Sequence, residues 1–341
     1  MMKGLDALIG QERVVSLLTR MLERDRLPHA LLFSGIDGIG KQTAAKALAM
    51  TLNCPTSNRA SACLACRSCR QFISGNHPDI ITIKPQGRFI KLDQVRGLRK
   101  QLRFAPINGP YRVIIINDAH AMNVEAANAI LKLLEEPPVN THIVMTCLQV
   151  SGLAPTIVSR CQQLPFHPLP TVAIAKELAE RRGLDPDTAM GVASLAKGSI
   201  GKALSCNVEK WMGWRNACLD QIASLTGKSM HEVLTVAEGL AKQKEKLQDI
   251  LDLYLMWFRD LLMYKLQEKY LLNKDRLSEI ADQSTAFTGE QLLAIISAIF
   301  SGQRSILQNA NPRLALEVLL VRYIWLPHRE KEENPGIRKY G

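Results

Sequence analysis

The chain has 341 residues, a formal net charge of +11, and a composition that is 47% hydrophobic and 5% aromatic. This length predicts two or three domains, and without an apolar run of roughly 18 residues we expect no membrane-spanning helix. The basic charge suits a partner rich in phosphate. The low aromatic content argues against stacking on single-stranded bases as the main mode of binding.

A glycine-rich loop lies between the first predicted strand, the apolar run 30–33, and a predicted alanine-rich helix at 44–50. In this order of elements, backbone N–H groups hold phosphates at a helix N-terminus. The residue after Lys41 should be Ser or Thr, whose hydroxyl binds Mg²⁺, but it is Gln42, a poor substitute. The loop therefore predicts a nucleotide-binding fold with a weakened site, and its candidate binding residues are Gly35, Gly38, Gly40 and Lys41.

A cysteine-rich insertion follows the predicted helix, with the spacing C-x₈-C-x₂-C-x₂-C at Cys54, Cys63, Cys66 and Cys69. Paired C-x₂-C segments place thiolates as a tetrahedral Zn²⁺ requires, and four thiolates make such a site structural. A pair of disulfides is the alternative. With no signal peptide we expect a cytoplasmic protein, in which disulfides are rare, and zinc is favoured. The other four cysteines are too scattered for a second site, so we interpret them as buried free thiols.

A basic helix is predicted at residues 93–104. Its apolar side carries Val95, Leu98 and Leu102, and its polar side carries the candidate DNA-binding residues Arg96, Arg99, Lys100 and Arg103. Such a stripe is either a solvated face or a surface that contacts phosphates without reading bases. The sequence does not decide between the two.

The β-branched run Val113–Ile116 predicts a strand buried on both faces. In a hydrolysing site such a strand ends in Asp-Glu, in which the Asp helps to place Mg²⁺ and the Glu polarises the attacking water. Here it ends in Asn117-Asp118. Asn117 is neutral and Asp118 is one methylene shorter than Glu, although a strand that simply ends in polar residues is the alternative.

Three segments carry a resemblance to a known family. They are Leu27–Phe33, the helix end Ala127–Pro138 that reads ANAILKLLEEPP, and Ser159–Cys161 after the predicted strand Ile143–Cys147. The helix should end before Pro137, and its apolar positions are Val124, Ala127, Leu131 and Leu134. From Leu8 to about Leu326, the chain resembles the bacterial DNA polymerase III clamp-loader subunits of the AAA+ class.

The resemblance implies a specific loss of activity. The ATP-hydrolysing gamma/tau subunits carry Gly-Ser-x-Arg-Asp, whose arginine senses the γ-phosphate, whereas this chain reads Gly198-Ser199-Ile200-Gly201-Lys202. Together with Gln42 and Asn117, this departure matches the family's non-hydrolysing stator. We therefore expect no intrinsic ATPase activity, weak or no ATP binding, and a role as a subunit of a polymerase holoenzyme. Arg160 matches the arginine finger that this family donates to the neighbouring subunit's nucleotide, and the alternative is an ordinary arginine that forms a salt bridge at a strand end.

The resemblance also implies the domain organisation. An α/β AAA+ domain with a P-loop type parallel sheet covers residues 1–167 and includes a zinc-binding insertion at 54–69. A small helical lid at 168–208 follows the proline-rich joint Pro165–Pro170, with helices at Val172–Arg182 and Pro186–Ala196. An all-α collar at 209–328 would join the subunits of a hetero-pentamer. We expect residues 329–341, which are charged and lack an apolar period, to form a disordered tail.

Helical patterns dominate the predicted collar. One apolar stripe consists of Leu247, Leu251, Tyr254, Leu255 and Phe258. Thr288 and Gln291 form a potential capping box for a helix that continues through Phe300, and the segment that begins at Asn309 resembles the last helix of the clamp-loader collar.

Three interpretations remain open. The first is the stator subunit, with gamma/tau and delta subunits, the sliding clamp and primer-template DNA as partners. The second is a weakly active gamma/tau-like ATPase, which Lys41 leaves possible. The third is a zinc-bearing DNA-binding module unrelated to replication, for which the sequence has no helix-turn-helix or multi-finger pattern.

Overall fold

The computed structural model describes residues 4–5, 8–58, 61–102, 104–225, 228–267 and 271–332, with only the backbone for residues 99, 100 and 326–332. Contacts group the chain into two compact units. The first consists of Met1–Ile174 and Ala196–Leu204, and the second of Ala175–Leu195 and Ser205–Gly341. In the described part of the chain, no helix combines the length and apolar character needed to cross a membrane.

The first unit is built on a five-stranded parallel sheet. Its strands are β1 (Ala30–Ser34), β2 (Ile80–Ile83), β3 (Arg112–Ile116), β4 (Thr141–Cys147) and β5 (Gln162–Pro165). They lie in the order β2-β3-β4-β1-β5. All residues of β1 and β3 are buried, which explains their largely apolar sequence. The predicted parallel sheet is therefore confirmed.

Six helices lie wholly in this unit: α1 (Glu12–Glu23), α2 (Lys41–Leu52), α3 (Arg67–Ile73), α4 (Leu92–Gln101), α5 (Val124–Glu135) and α6 (Pro155–Val158). Helices α4 and α5 pack on the face of the sheet that presents Leu32, Ile114 and Met145. Helix α2 begins directly after the glycine loop and contacts β3 and β4.

Three of the four apolar positions predicted for α5 are confirmed. Leu134 is buried, and Ala127 and Leu131 are partly buried against the core. Val124, at the start of the helix, is wrong because it is 77% exposed. The helix also buries Ala126, Ile130 and Leu133, so its apolar face is wider than the predicted stripe. Its start is set by Asn123, whose side chain accepts a bond from the N–H of Ala126.

The described residues of the second unit contain helices and no strand. Helices α7 (Thr171–Arg182) and α9 (Ile200–Ser205) contain residues of both units. The other helices are α8 (Pro186–Leu195), α10 (Val208–Ala223), α11 (Met230–Ala241), α12 (Leu247–Lys265), α13 (Leu277–Ser284), α14 (Gly289–Leu307) and α15 (Pro312–Glu332).

Helix α12 supplies the centre of the second core. Leu247, Leu251, Tyr254 and Phe258 of the predicted stripe are buried, and Leu255 is partly buried. The capping box at the start of α14 is confirmed, since the side chains of Thr288 and Gln291 each accept a bond from the other residue's backbone N–H. The helix continues beyond Phe300 to Leu307.

The expected domain boundaries are finer than this grouping, because residues 168–208, predicted to form a lid, are divided between the two units. The division into three domains stays a prediction. The predicted start of the disordered tail, Arg329, is too early, since α15 continues to Glu332. The residues Arg329 to Glu332 are good helix formers, and extending a helix is easier than starting one. Residues 333–341 of the predicted tail lie outside the described residues.

Candidate functional site

The glycine loop between β1 and α2 has a backbone that other residues adopt with difficulty. Gly38 has a φ of 70°. A side chain at this position would also overlap the hydroxyl of Ser199. The loop thus needs glycine for its conformation and for its close approach to another segment of the same unit.

The side chain of Lys41 is buried and binds the main chain of the glycine loop. It is 5% exposed, and Nζ donates to the carbonyl oxygens of Gly35 at 2.6 Å and of Ile36 at 2.7 Å. Burial lowers the pKa of Lys41, while the carboxylates of Asp37 and Asp118 oppose the shift. An ammonium has three donors, so one N–H remains for a phosphate. The structure brings Lys41, Gly35 and Asp118 together, and their role in nucleotide binding stays a prediction.

Asn117 lies at the end of β3, where a hydrolysing site carries a metal-binding carboxylate. It is 1% exposed, and neither its side-chain oxygen nor its side-chain nitrogen has a hydrogen-bond partner among the described residues. Its neighbour Asp118 has a φ of 53° and donates its backbone N–H to Thr146 Oγ1 at 3.0 Å. The edge of the sheet thus holds a neutral buried amide and one carboxylate.

The segment that should carry the sensing arginine packs on the glycine loop. The backbone N–H of Gly201 donates to the carbonyl oxygen of Gly38 at 2.8 Å, and a Cβ atom at position 201 would lie 2.8 Å from that oxygen. Ser199 is 1% exposed beside the loop. Position 201 can therefore hold little more than a hydrogen atom in this arrangement.

Arg160 follows the short helix α6 and belongs to a separate group of residues. Its Nη2 atom lies 2.7 Å from Glu135 Oε1 at the end of α5. Its Nη1 atom donates to the carbonyl oxygen of Thr156 at 2.9 Å and to Ser159 Oγ at 3.4 Å. The side chain of Arg160 is 36% exposed. Its bonds thus go to residues near it in the chain and to Glu135.

The four cysteines of the insertion form one cluster, in which the four Sγ atoms lie within 4.8 Å of one another. All are free thiols. Backbone N–H groups donate to three of the sulfurs, with distances of 3.3 Å from Cys63 N to Cys54 Sγ, 3.2 Å from Cys66 N to Cys63 Sγ and 3.4 Å from Cys69 N to Cys66 Sγ.

This cluster fits a zinc ion. Four ligands at the Zn–S distance of about 2.3 Å would lie roughly 4 Å apart in a tetrahedron, close to the spacing observed. The hydrogen bond with Thr56, followed by those from Cys66 and Ala65, lowers the pKa of Cys63 to about 6. Burial raises the pKa of Cys69. The cluster is compatible with a structural zinc site, and no ligand position would remain open for catalysis.

The basic helix has the predicted two faces. Val95, Leu98 and Leu102 are buried, and the side chain of Arg96 is 66% exposed, 3.9 Å from Asp93. The side chains of Arg99 and Lys100, and Arg103 as a whole, lie outside the described residues. Whether this face contacts DNA stays a prediction.

Two of the ion pairs that the sequence analysis did not predict lie in the first unit and bear on the site. One is the pair of Glu135 and Arg160. The sequence feature that could have indicated it is the Glu-Glu-Pro-Pro motif, which contains Glu135. The other is buried: Arg112 Nη2 lies 3.4 Å from Asp79 Oδ1. Burial of Asp79 opposes ionisation, but backbone N–H bonds from Asn108, Ile107 and Gly109, together with Arg112, outweigh it and lower the pKa of Asp79. This pair joins β3 to the loop before β2.

Comparison with known proteins agrees with these features. A family model described as DNA polymerase III, delta subunit, matches residues 10–170, and a model of the C-terminal part of that subunit matches residues 209–324. DNA polymerase III subunit delta′ of Bacillus subtilis (strain 168) is 32% identical over 326 residues, which cover 91% of this chain and 95% of that protein.

Two further matches have a lower sequence identity to this chain. DNA polymerase III subunit tau of Bacillus subtilis (strain 168) is 27% identical, and the match covers 96% of this chain but 63% of tau. Among solved structures, a DNA polymerase III gamma subunit-related protein from Thermotoga maritima has a TM-score of 0.37 and 18% identity, with 92% of this chain and 99% of that chain covered. From the two family models and the Bacillus subtilis relative, the chain belongs to the delta-prime family of DNA polymerase III clamp-loader subunits.

Proposed function

We propose that the chain is the stator subunit of a bacterial clamp loader. It hydrolyses no ATP itself, helps to load the sliding clamp onto primed DNA, and donates Arg160 to the ATP site of a neighbouring subunit. Its partners are the gamma/tau and delta subunits, the sliding clamp and primer-template DNA. A cytoplasmic location, in which thiols stay reduced, is part of the same proposal.

The backbone bond between Gly201 and Gly38 carries the proposal that the site is silent. Phosphoryl transfer depends on positioned charges around the transferring group. At position 201, the carbonyl oxygen of Gly38 occupies the space that the Cβ atom of a sensing arginine would need. Asn117 is a neutral amide at the position where a hydrolysing site has a metal-binding carboxylate. Gln42 is an amide at the position where such a site has a metal-binding hydroxyl.

One observation fits the alternative, a weakly active gamma/tau-like ATPase, as well as it fits the stator. The loop is fully formed, and Lys41 retains one N–H beyond its bonds to Gly35 and Ile36. A backbone cradle and an ammonium are sufficient for weak binding of phosphates. Binding without turnover is therefore compatible with the stator.

The arginine finger is supported by the exposure of the Arg160 side chain, which is 36%. A guanidinium that serves another subunit has to lie at the surface. An arginine donated in trans stabilises the charge of the transferring phosphoryl group and contributes a factor of roughly 10³–10⁵ to the rate where it has been measured.

Two further parts of the proposal concern ligands. Cys54, Cys63, Cys66 and Cys69 would hold one structural Zn²⁺, which supplies no chemistry and ties the insertion into one turn. The exposed face of α4, with Arg96, would contact phosphates of the primer-template duplex without reading its bases.

The test is ATP hydrolysis by the purified full-length chain, with and without primer-template DNA, beside the variant Lys41→Ala. We expect both proteins to show the same background rate. A turnover of about one per second, within the range of working phosphotransferases, that disappears in Lys41→Ala would overturn the stator and establish the gamma/tau-like ATPase.

A further inference from the structure

Arg160 is held by one carboxylate. Its partner Glu135 is the last residue of α5, and the distance from Arg160 Nη2 to Glu135 Oε1 is 2.7 Å. Helices α5 and α6 contact each other, so the two side chains start from adjacent elements. The pair thus links the end of one helix to the residue that follows another.

The contacts of the guanidinium leave part of it available. Bonds to Glu135, Thr156 and Ser159 use three of its five N–H groups. Two N–H groups therefore have no partner among the residues that the structure describes. Two donors on a planar guanidinium are sufficient for a bidentate bond to a phosphate.

The exposure of the pair argues against a role in stability. The side chains of Arg160 and Glu135 are 36% and 48% exposed, and ion pairs at such positions contribute little to the free energy of unfolding. They do restrict the side chain. An arginine has many rotamers, and holding it in one of them reduces the entropy lost when it binds a second anion.

We infer that Glu135 is a positioning residue for Arg160: it holds the guanidinium by one edge so that the remaining N–H groups face an anion supplied by another subunit. This inference rests on the proposed arginine finger. It assigns a function to the first glutamate of the Glu-Glu-Pro-Pro motif. Glu136, the second glutamate, is exposed, and the bonds of Arg160 described above do not include it.

The test is steady-state ATP hydrolysis by the complete clamp loader, reconstituted with its gamma/tau and delta subunits and primer-template DNA. This chain would be wild type or carry Glu135→Gln, Glu135→Asp, Arg160→Ala, or Glu135→Gln with Arg160→Ala. Glu136→Gln is the matched control, because it removes the same charge from the neighbouring position. Assembly of each complex is measured first by size-exclusion chromatography.

We expect Glu135→Gln to lower kcat by about 3-fold to 10-fold with little change in KM for ATP, a small part of the roughly 10³-fold contribution of a finger. Glu135→Asp, which keeps the charge, should lie closer to wild type, and Glu136→Gln should equal wild type. With Arg160→Ala already present, Glu135→Gln should change nothing further, because a positioning residue acts only through the residue that it positions.

The outcomes separate the two proposals. If Arg160→Ala leaves hydrolysis at the wild-type rate, the arginine finger itself fails. If Arg160→Ala lowers the rate but Glu135→Gln equals Glu136→Gln, only the role of Glu135 is overturned. A higher rate in Glu135→Gln would also overturn it, since the carboxylate would then restrain the finger instead of positioning it. An equal loss in both the wild-type and Arg160→Ala backgrounds would reduce Glu135 to a structural residue.

Discussion

The backbone N–H of Gly201 and the carbonyl oxygen of Gly38 form a hydrogen bond of 2.8 Å. Position 201 is where the resemblance places the γ-phosphate-sensing arginine of the hydrolysing gamma/tau subunits. The bond attaches this position to the glycine loop. A side chain at position 201 would collide with the Gly38 carbonyl. The glycine at position 201 and the close packing of the two segments are therefore one structural feature.

The first prediction concerns this contact. Gly201→Ala should lower the free energy of unfolding by about 1–3 kcal/mol, the cost of forcing an extra methyl group into a packed site. Gly213→Ala is the matched control, because Gly213 lies on helix α10 with no atom within 4 Å of an added Cβ. That control should gain roughly 0.5–1 kcal/mol from the better helix former. Urea unfolding of both variants makes the comparison, and equal stabilities would contradict the contact.

The second prediction concerns the metal. Protein purified without chelator should contain close to one Zn²⁺ per chain, and Cys66→Ser should release it and loosen the insertion, since binding and local folding are coupled. Cys206→Ser, which lies outside the cluster, should keep the full metal content. Elemental analysis and thiol titration measure both quantities. Four reactive thiols in a stable, metal-free protein would rule out the site.

The third prediction concerns the buried pair of Asp79 and Arg112, which are 0% and 4% exposed. Asp79→Asn should cost about 3–5 kcal/mol at neutral pH, because it leaves a buried guanidinium without its counter-charge. The pKa of Asp79 is lowered from 3.8. Its ionisation therefore stabilises the fold above about pH 4, and this contribution is lost as the pH falls through the folded-state pKa.

The difference between wild type and Asp79→Asn should accordingly stay constant from neutral pH to about pH 5 and shrink below about pH 4. Asp93→Asn is the control, since Asp93 is 92% exposed beside Arg96, and such pairs contribute about 0–1 kcal/mol. Denaturant unfolding across this pH range provides the measurement. A difference that grows on acidification would contradict the assigned ionisation of Asp79.

Local sequence was sufficient for most of the elements. The run Val113–Ile116 predicted a buried strand because a parallel sheet covered on both faces leaves no polar position, and Thr288 with Gln291 predicted a helix start because the capping box is a local interaction. The cysteine cluster was equally predictable from spacing. For α5, Val124 fits the helical spacing of the other apolar residues but is exposed, because spacing alone does not show how far along a helix the packing extends.

The contacts that define the site were not local. The resemblance placed position 201 at the nucleotide site, but the contact between Gly201 and Gly38 was not predictable, since it depends on how residues 196–204 pack within the first unit. The partner of Arg160 was hidden for the same reason, because Glu135 lies on a different helix. The sequence showed that position 201 lacks the arginine expected of a hydrolysing subunit. The structure shows that the carbonyl oxygen of Gly38 lies where the Cβ atom of such a residue would be.

The most direct test of a silent subunit that acts in trans compares its two candidate sites within one reconstituted complex. Lys41→Ala alters the chain's own phosphate loop, and Arg160→Ala alters the group proposed to serve the neighbour. DNA-stimulated ATP hydrolysis by complexes that carry each variant is the measurement. The account predicts wild-type hydrolysis with Lys41→Ala and a large loss with Arg160→Ala, without loss of assembly. A large loss with Lys41→Ala, or wild-type hydrolysis with Arg160→Ala, would contradict it.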